Sequence, residues 1–136
     1  MNVKSFEEIV VGETASFSHR ISEENITTFS RLSGDENPLH VDEEYAKKTK
    51  LGGRVAHGMF LAALVSRLIG MYLPGKRSLL LFAEFRFKTP ARIGDTVEVL
   101  GTVTAKSQAT RVVETAIEIK KGSTNLVEGA VKVQIL

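Results

Sequence analysis

The chain has 136 residues, 43% hydrophobic and 25% charged, which suits one globular domain with a core and excludes a disordered chain. A formal charge of +2 is too balanced to mark a nucleic-acid binder, even with a sequence pI near 9.0. Cysteine is absent, which excludes a disulfide framework, a thiolate zinc site and a cysteine nucleophile.

Met1 to Ser16 carries Lys4, Glu7, Glu8 and Glu13 and no uninterrupted apolar core, so it does not read as a signal peptide. Thr14 to Ile21 has the residues of a first strand, with His19 expected at the surface without a partner. Ser22 predicts a helix N-cap, with Glu23 and Glu24 suited to the first turn. The helix runs through Ile26, Phe29 and Leu32 and stops at Gly34. From Ser33 to His40 a turn is expected, because Pro38 fixes its own φ and biases Asn37 toward extended conformations. Such a turn aims Asp35 and His40 at a common point, where a carboxylate and an imidazole can handle one water; Asn37 is expected to fix the turn in preference to lining the site. Asp42 caps a short helix from Glu43 to about Thr49, which assigns Asp42, Glu43 and Glu44 to capping. Lys47, Lys48, Lys50 and Arg54 follow, read here as a solvated face in preference to a patch for acyl-carrier phosphates. Gly52-Gly53 and Gly75-Lys76-Arg77 lack the rest of a phosphate-binding loop.

Val55-Ala56-His57-Gly58-Met59 leads into the most apolar stretch. Met59 to Met71 is apolar on nearly every side and predicts a helix covered all round, ended by Leu73-Pro74-Gly75. Gly58 to Leu73 contains Arg67 and falls short of the ~20 apolar residues that span a bilayer, so no membrane insertion is expected. A helix beginning near Gly58 has free N–H groups suited to an oxyanion, and glycine admits close approach. Ser78–Lys88, Asp95–Lys106, Ala109–Lys121 and Leu126–Leu136 read as long strands. In the last of them Val127, Gly129, Val131, Val133 and Ile135 share one face, and Glu128, Lys132 and Gln134 the other. Helices followed by antiparallel strands indicate a single α+β domain over residues 1–136, its sheet wrapped around the apolar helix. Asp35, His40, Asp42 and His57 lack a compact ligand spacing, so neither a metal nor a redox cofactor is expected.

The run Phe29-Ser30-Arg31-Leu32-Ser33-Gly34-Asp35-Glu36-Asn37-Pro38-Leu39-His40, followed by Val55-Ala56-His57-Gly58-Met59, resembles the signature of the MaoC-like family. That family comprises the R-specific enoyl-CoA hydratases, or hydratase 2, and related hydroxyacyl-thioester dehydratases. Phe85 to Asp95 resembles the family's entry into its long strands, so the likeness covers nearly the whole chain. It implies a hot-dog fold, at least a homodimer, and a hydro-lyase acting on acyl-CoA or acyl-carrier thioesters; a cytoplasmic location is expected from the lack of cysteine and of a signal-peptide pattern. By the same resemblance Asp35 and His40 hold the hydratic water, Gly58 lies on the thioester-binding helix start, and Ser66 matches a serine of close relatives. A plain helix hydroxyl bonded back to a carbonyl is the other reading of Ser66, and His57 is expected to shape the loop in preference to touching ligand. Leu61, Leu64, Val65, Leu68, Leu80 and Phe82 are expected to shape the acyl pocket. Two alternatives are a hot-dog acyl-CoA thioesterase, whose water attacks the carbonyl carbon, and a non-catalytic acyl-thioester-binding domain.

Overall fold

There are five strands: β1 Thr14–Arg20, the Leu- and Phe-rich β2 Ser78–Phe87, and three built on Val-, Ile- and Thr-rich alternation, β3 Thr96–Ser107, β4 Val112–Lys121 and β5 Thr124–Ile135. In the computed structural model, which describes Met1 to Leu136, they form one antiparallel sheet in the order β1-β3-β4-β5-β2. Register explains which face is buried. Val99 pairs with Ile119 and Val113 with Val133, all of them buried, whereas Glu114, Glu118, Lys120 and Lys132 stand on the opposite face in ion pairs. The fold is the α+β hot-dog that the sequence predicts.

The helices are α1 Glu23–Ser33, α2 Pro38–Val41, α3 Glu43–Lys47 and α4 Gly58–Arg67. Ser22 and Asn25 form a reciprocal capping box at the start of α1, and Gly34 ends it with φ 76°, a left-handed conformation that favours glycine. Pro38 does more than interrupt. It occupies the first turn of α2, where no N–H is needed, while Asn37 Oδ1 accepts Leu39 N–H at 3.0 Å; the expected turn therefore contains a short helix. His19, expected to be unpartnered at the surface, is half-buried with Nε2 2.9 Å from Asn25 Oδ1.

The single helix expected from Met59 to Met71 is α4 followed by a wider π-helical turn, Leu68–Tyr72, in which Leu73 N–H reaches Leu68 O at 2.9 Å. Phe60, Leu61, Leu64, Val65 and Leu68 pack into the core. Gly101 of β3 makes room for this contact, since a Cβ there would lie 2.7 Å from Leu68 Cδ2. Coverage on all sides is corrected: Met59 is 63% exposed, and Ala63, Ser66 and Arg67 are also exposed. A single sheet covers a single side of a helix. Arg67 tolerates its apolar setting by lying 4.3 Å over the Phe17 ring and donating to the Tyr72 hydroxyl. No helix is long and apolar enough to cross a membrane.

Candidate active site

Asp35 follows the Gly34 cap of α1, and its position is set by its own backbone. Its carboxylate is exposed and accepts Asn37 N–H at 3.2 Å, and its carbonyl accepts Ser30 Oγ–H at 2.7 Å. Asn37 thus fixes the turn from both sides, as an N-cap and as a donor to Asp35. His40 sits in α2, with Nδ1 2.8 Å from the carbonyl of Val55. A carbonyl can only accept, so Nδ1 carries the hydrogen and the neutral ring keeps its lone pair on Nε2. Val55 is itself anchored: its N–H donates to Leu39 O, and the next N–H, of Ala56, donates to Ala91 O.

His57 is buried, its ring stacked on His40 with centroids 3.9 Å apart and planes at 29°. Its Nε2–H donates to the Asp35 carbonyl at 3.0 Å. One donor atom from each of Asp35, His40 and His57 lies within 4.8 Å of the others, a separation that one water can bridge between Asp35 and His40. The same trio has the donor chemistry to hold a metal ion. Asp42, the fourth residue weighed as a ligand, instead accepts Tyr45 N–H at the start of α3.

Gly58 begins α4 directly after His57. The His57 carbonyl accepts from Phe60 and Leu61, the His57 side chain makes no capping bond, and the N–H groups of Gly58 and Met59 have no acceptor in the chain. Gly58, at this positive end of the helix, lines a cleft of about 300 Å³ together with His40, Leu61, Phe87 and Thr89; Asp35 and Met59 are not part of its lining. Phe87 lies against Gly58 so closely that a Cβ there would be 3.2 Å from the ring. A larger hollow of about 580 Å³ lies among Glu84, Arg86, Glu118 and Glu128 on the sheet and holds none of the predicted site residues.

Ser66 is not brought to this cleft. It lies two turns along α4, exposed and without a hydrogen-bond partner in the chain. Of the expected acyl-pocket residues only Leu61 lines the cleft; Leu64, Val65 and Leu68 fill the core, and Leu80 and Phe82 are exposed on β2. Two of the four residues of the basic cluster are paired, and Lys48 and Lys50 make no ion pair. Arg54 donates to both carboxylate oxygens of Glu23 and pairs with Glu43, and Lys47 pairs with Glu43 and Glu44. The Arg54 hydrogen bonds hold the Glu23 carboxyl below its ordinary 4.5. Sequence reasoning placed Ser30 in the first helix and gave it no role; the available signal was a serine four residues after Ile26, on the inward face of α1.

An antiparallel sheet packed on one apolar helix is the hot-dog arrangement, and the acid–imidazole pair close to the start of that helix is placed to handle a water. The MaoC like domain model matches residues 8–124, and the chain belongs to that family. It is 46% identical over 99 residues to the (R)-specific enoyl-CoA hydratase of Rhodospirillum rubrum, covering 73% of this chain and 69% of that protein. Identity to the 3-hydroxybutyryl-CoA dehydratase of Methylorubrum extorquens is 38% over 99 residues, or 73% of this chain and 63% of that one. The (R)-hydratase from A. caviae involved in PHA biosynthesis superposes with a TM-score of 0.92 at 34% identity, covering 96% of this chain and 99% of that structure.

Proposed function

We propose that this chain is an R-specific enoyl-CoA hydratase, catalysing the reversible hydration of trans-2-enoyl-CoA to (R)-3-hydroxyacyl-CoA. The observation that carries the reading is that His40, which lies within one water's reach of Asp35, lines the same cleft as Gly58, whose unpaired N–H starts α4. The thioester oxygen accepts from Gly58 N–H, which draws negative charge from the conjugated double bond and leaves C3 electrophilic. Asp35 and His40 hold the water between them. One O–H bond of that water breaks, a C–O bond forms at C3, and the pair returns the proton to C2. The sum is redox-neutral, so the reaction calls for no redox cofactor, and in this proposal the Asp35–His40 pair handles the water without a metal. The R configuration is supported by the R-specific relatives.

The same proposal includes a cytoplasmic location, thioesters of coenzyme A or an acyl carrier as substrates, and a homodimer. A second copy suits the exposed Leu79, Leu80, Leu81 and Phe82 of the edge strand β2 and the open face of α4. The test follows the conjugated enoyl absorbance of crotonyl-CoA while free thiol is assayed in parallel. Loss of absorbance without thiol release, abolished in folded Asp35→Asn and His40→Ala, is the expected result. Thiol release would move the protein to the thioesterases, and folded variants with wild-type rates would remove Asp35 and His40 from the mechanism.

A further inference from the structure

The carbonyl oxygen of Asp35 takes hydrogen bonds from two distant groups: Ser30 Oγ–H at 2.7 Å, from inside α1, and His57 Nε2–H at 3.0 Å, from the residue before α4. Both donors are buried, at 4% and 1% exposure, whereas Asp35 itself is exposed. A carbonyl has two lone pairs, so this one is saturated and its peptide plane is fixed against the interior. Loop carboxylates at a surface ordinarily lack such a restraint. The His57 ring is held in turn, stacked on His40 at 3.9 Å and tilted against Phe29 at 5.0 Å. One side chain therefore contacts both members of the pair that handles water.

This arrangement leaves a blemish. Nδ1 of His57 is buried with no hydrogen-bond partner, and an unpaired buried polar atom is destabilising. Phenylalanine would fill the slot and stack on His40 without that defect. What it lacks is the N–H aimed at Asp35. We infer that Ser30 and His57 are positioning residues for the hydration reaction, a two-donor clamp on the Asp35 peptide that holds the carboxylate at the water site. The His57 ring also sets the plane of His40. Both act through the Asp35 peptide. The inference rests on the hydratase reading and deepens it.

The first measurement needs no turnover. Imidazole ¹⁵N shifts are expected to show His57 protonated on Nε2 and bare on Nδ1; a ring protonated only on Nδ1 cannot donate to the carbonyl and would overturn the clamp. With crotonyl-CoA, His57→Phe is expected to lose about 100-fold in kcat with KM within about twofold, the scale of a misplaced reacting group. Ser30→Ala, a smaller change, is expected to lose about 10-fold, and His57→Gln, whose amide reaches the same carbonyl, to recover part of the loss. Because both donors act on one oxygen, the double variant Ser30→Ala/His57→Phe should lose less than the product of the two single losses. Folded His57→Phe and Ser30→Ala with kcat within about twofold of wild type, or losses that multiply, would overturn it. An inactive wild type sinks the hydratase reading alone, and the ¹⁵N shifts then decide the clamp.

Discussion

Gly58→Ala separates the chemistry of the α4 start from its stability. The new methyl would sit 3.2 Å from two carbons of the Phe87 ring, a few tenths of an ångström inside ordinary contact of about 3.5–4.0 Å. Phe87 is 49% exposed, so the ring can swing outward. Overpacking that cannot relax costs about 1–3 kcal/mol, and here most of it is relieved, while alanine gains up to roughly 0.5–1 kcal/mol over glycine in a helix. Net stability should therefore change by no more than about 1 kcal/mol. The methyl and the displaced ring occupy the approach to the free N–H groups of Gly58 and Met59, which have no other acceptor. Loss of one oxyanion donor costs about 100-fold or more, near 2.7 kcal/mol in the barrier. Thermal denaturation paired with kcat/KM on crotonyl-CoA should show a near-native melting curve and a fall of at least about 100-fold. A folded Gly58→Ala with kcat/KM within about twofold of wild type would refute the role given to this helix start.

Acid sensitivity follows from Glu23, whose carboxyl is held below its ordinary 4.5 by the Arg54 hydrogen bonds; a lowered carboxyl stabilises above that value and the gain is lost as pH falls through the folded value. Since the Glu23 side chain is 60% exposed, Glu23→Gln should cost only on the order of 0.5 kcal/mol at pH 7 by urea denaturation, and a gap that persisted unchanged at pH 3 would contradict this. At Gly129, a Cβ would lie 2.0 Å from the Glu84 carbonyl oxygen across the β2–β5 pairing, so Gly129→Ala should destabilise by about 3 kcal/mol or unfold the chain; a melting temperature within a few degrees of wild type would show that the strands part easily. Light scattering should give a mass near twice the chain's 14.9 kDa for wild type and near one chain for Leu80→Lys/Phe82→Lys, and a wild-type mass for the variant would exclude β2 from the interface.

Much of the fold was legible because its signals are local. Ser22 marks the start of α1 through a hydroxyl that reaches only three residues ahead, and the alternation of β5 states which face is buried before any partner strand is known. The covered and open sides of α4 were not legible. A helix apolar all round has no contrast at the helical period, so nothing in Met59 or Leu64 says which meets the sheet. The acyl pocket failed for the same reason: Leu64, Val65 and Leu68 are as apolar as a pocket requires, and the core took them. Pro38 was read only as an interruption, because proline both ends helices and begins them; its second part, opening α2, shows only with the Asn37 cap.

The candidate site draws on element ends. Asp35 follows the C-cap of α1, His40 lies in the single turn of α2, and Gly58 opens α4. Ends are where backbone groups go unpaired and where glycine and proline are selected for backbone reasons, so Gly34, Pro38 and Gly58 flagged the right region. What they do not encode is how three ends are held in one place. That depends on pairings across 15 residues, from His40 to the Val55 carbonyl, and across 22, from His57 to the Asp35 carbonyl. In each of these pairings the acceptor is a backbone oxygen, which every residue possesses, and the identity of the residue that supplies it carries no trace of the bond.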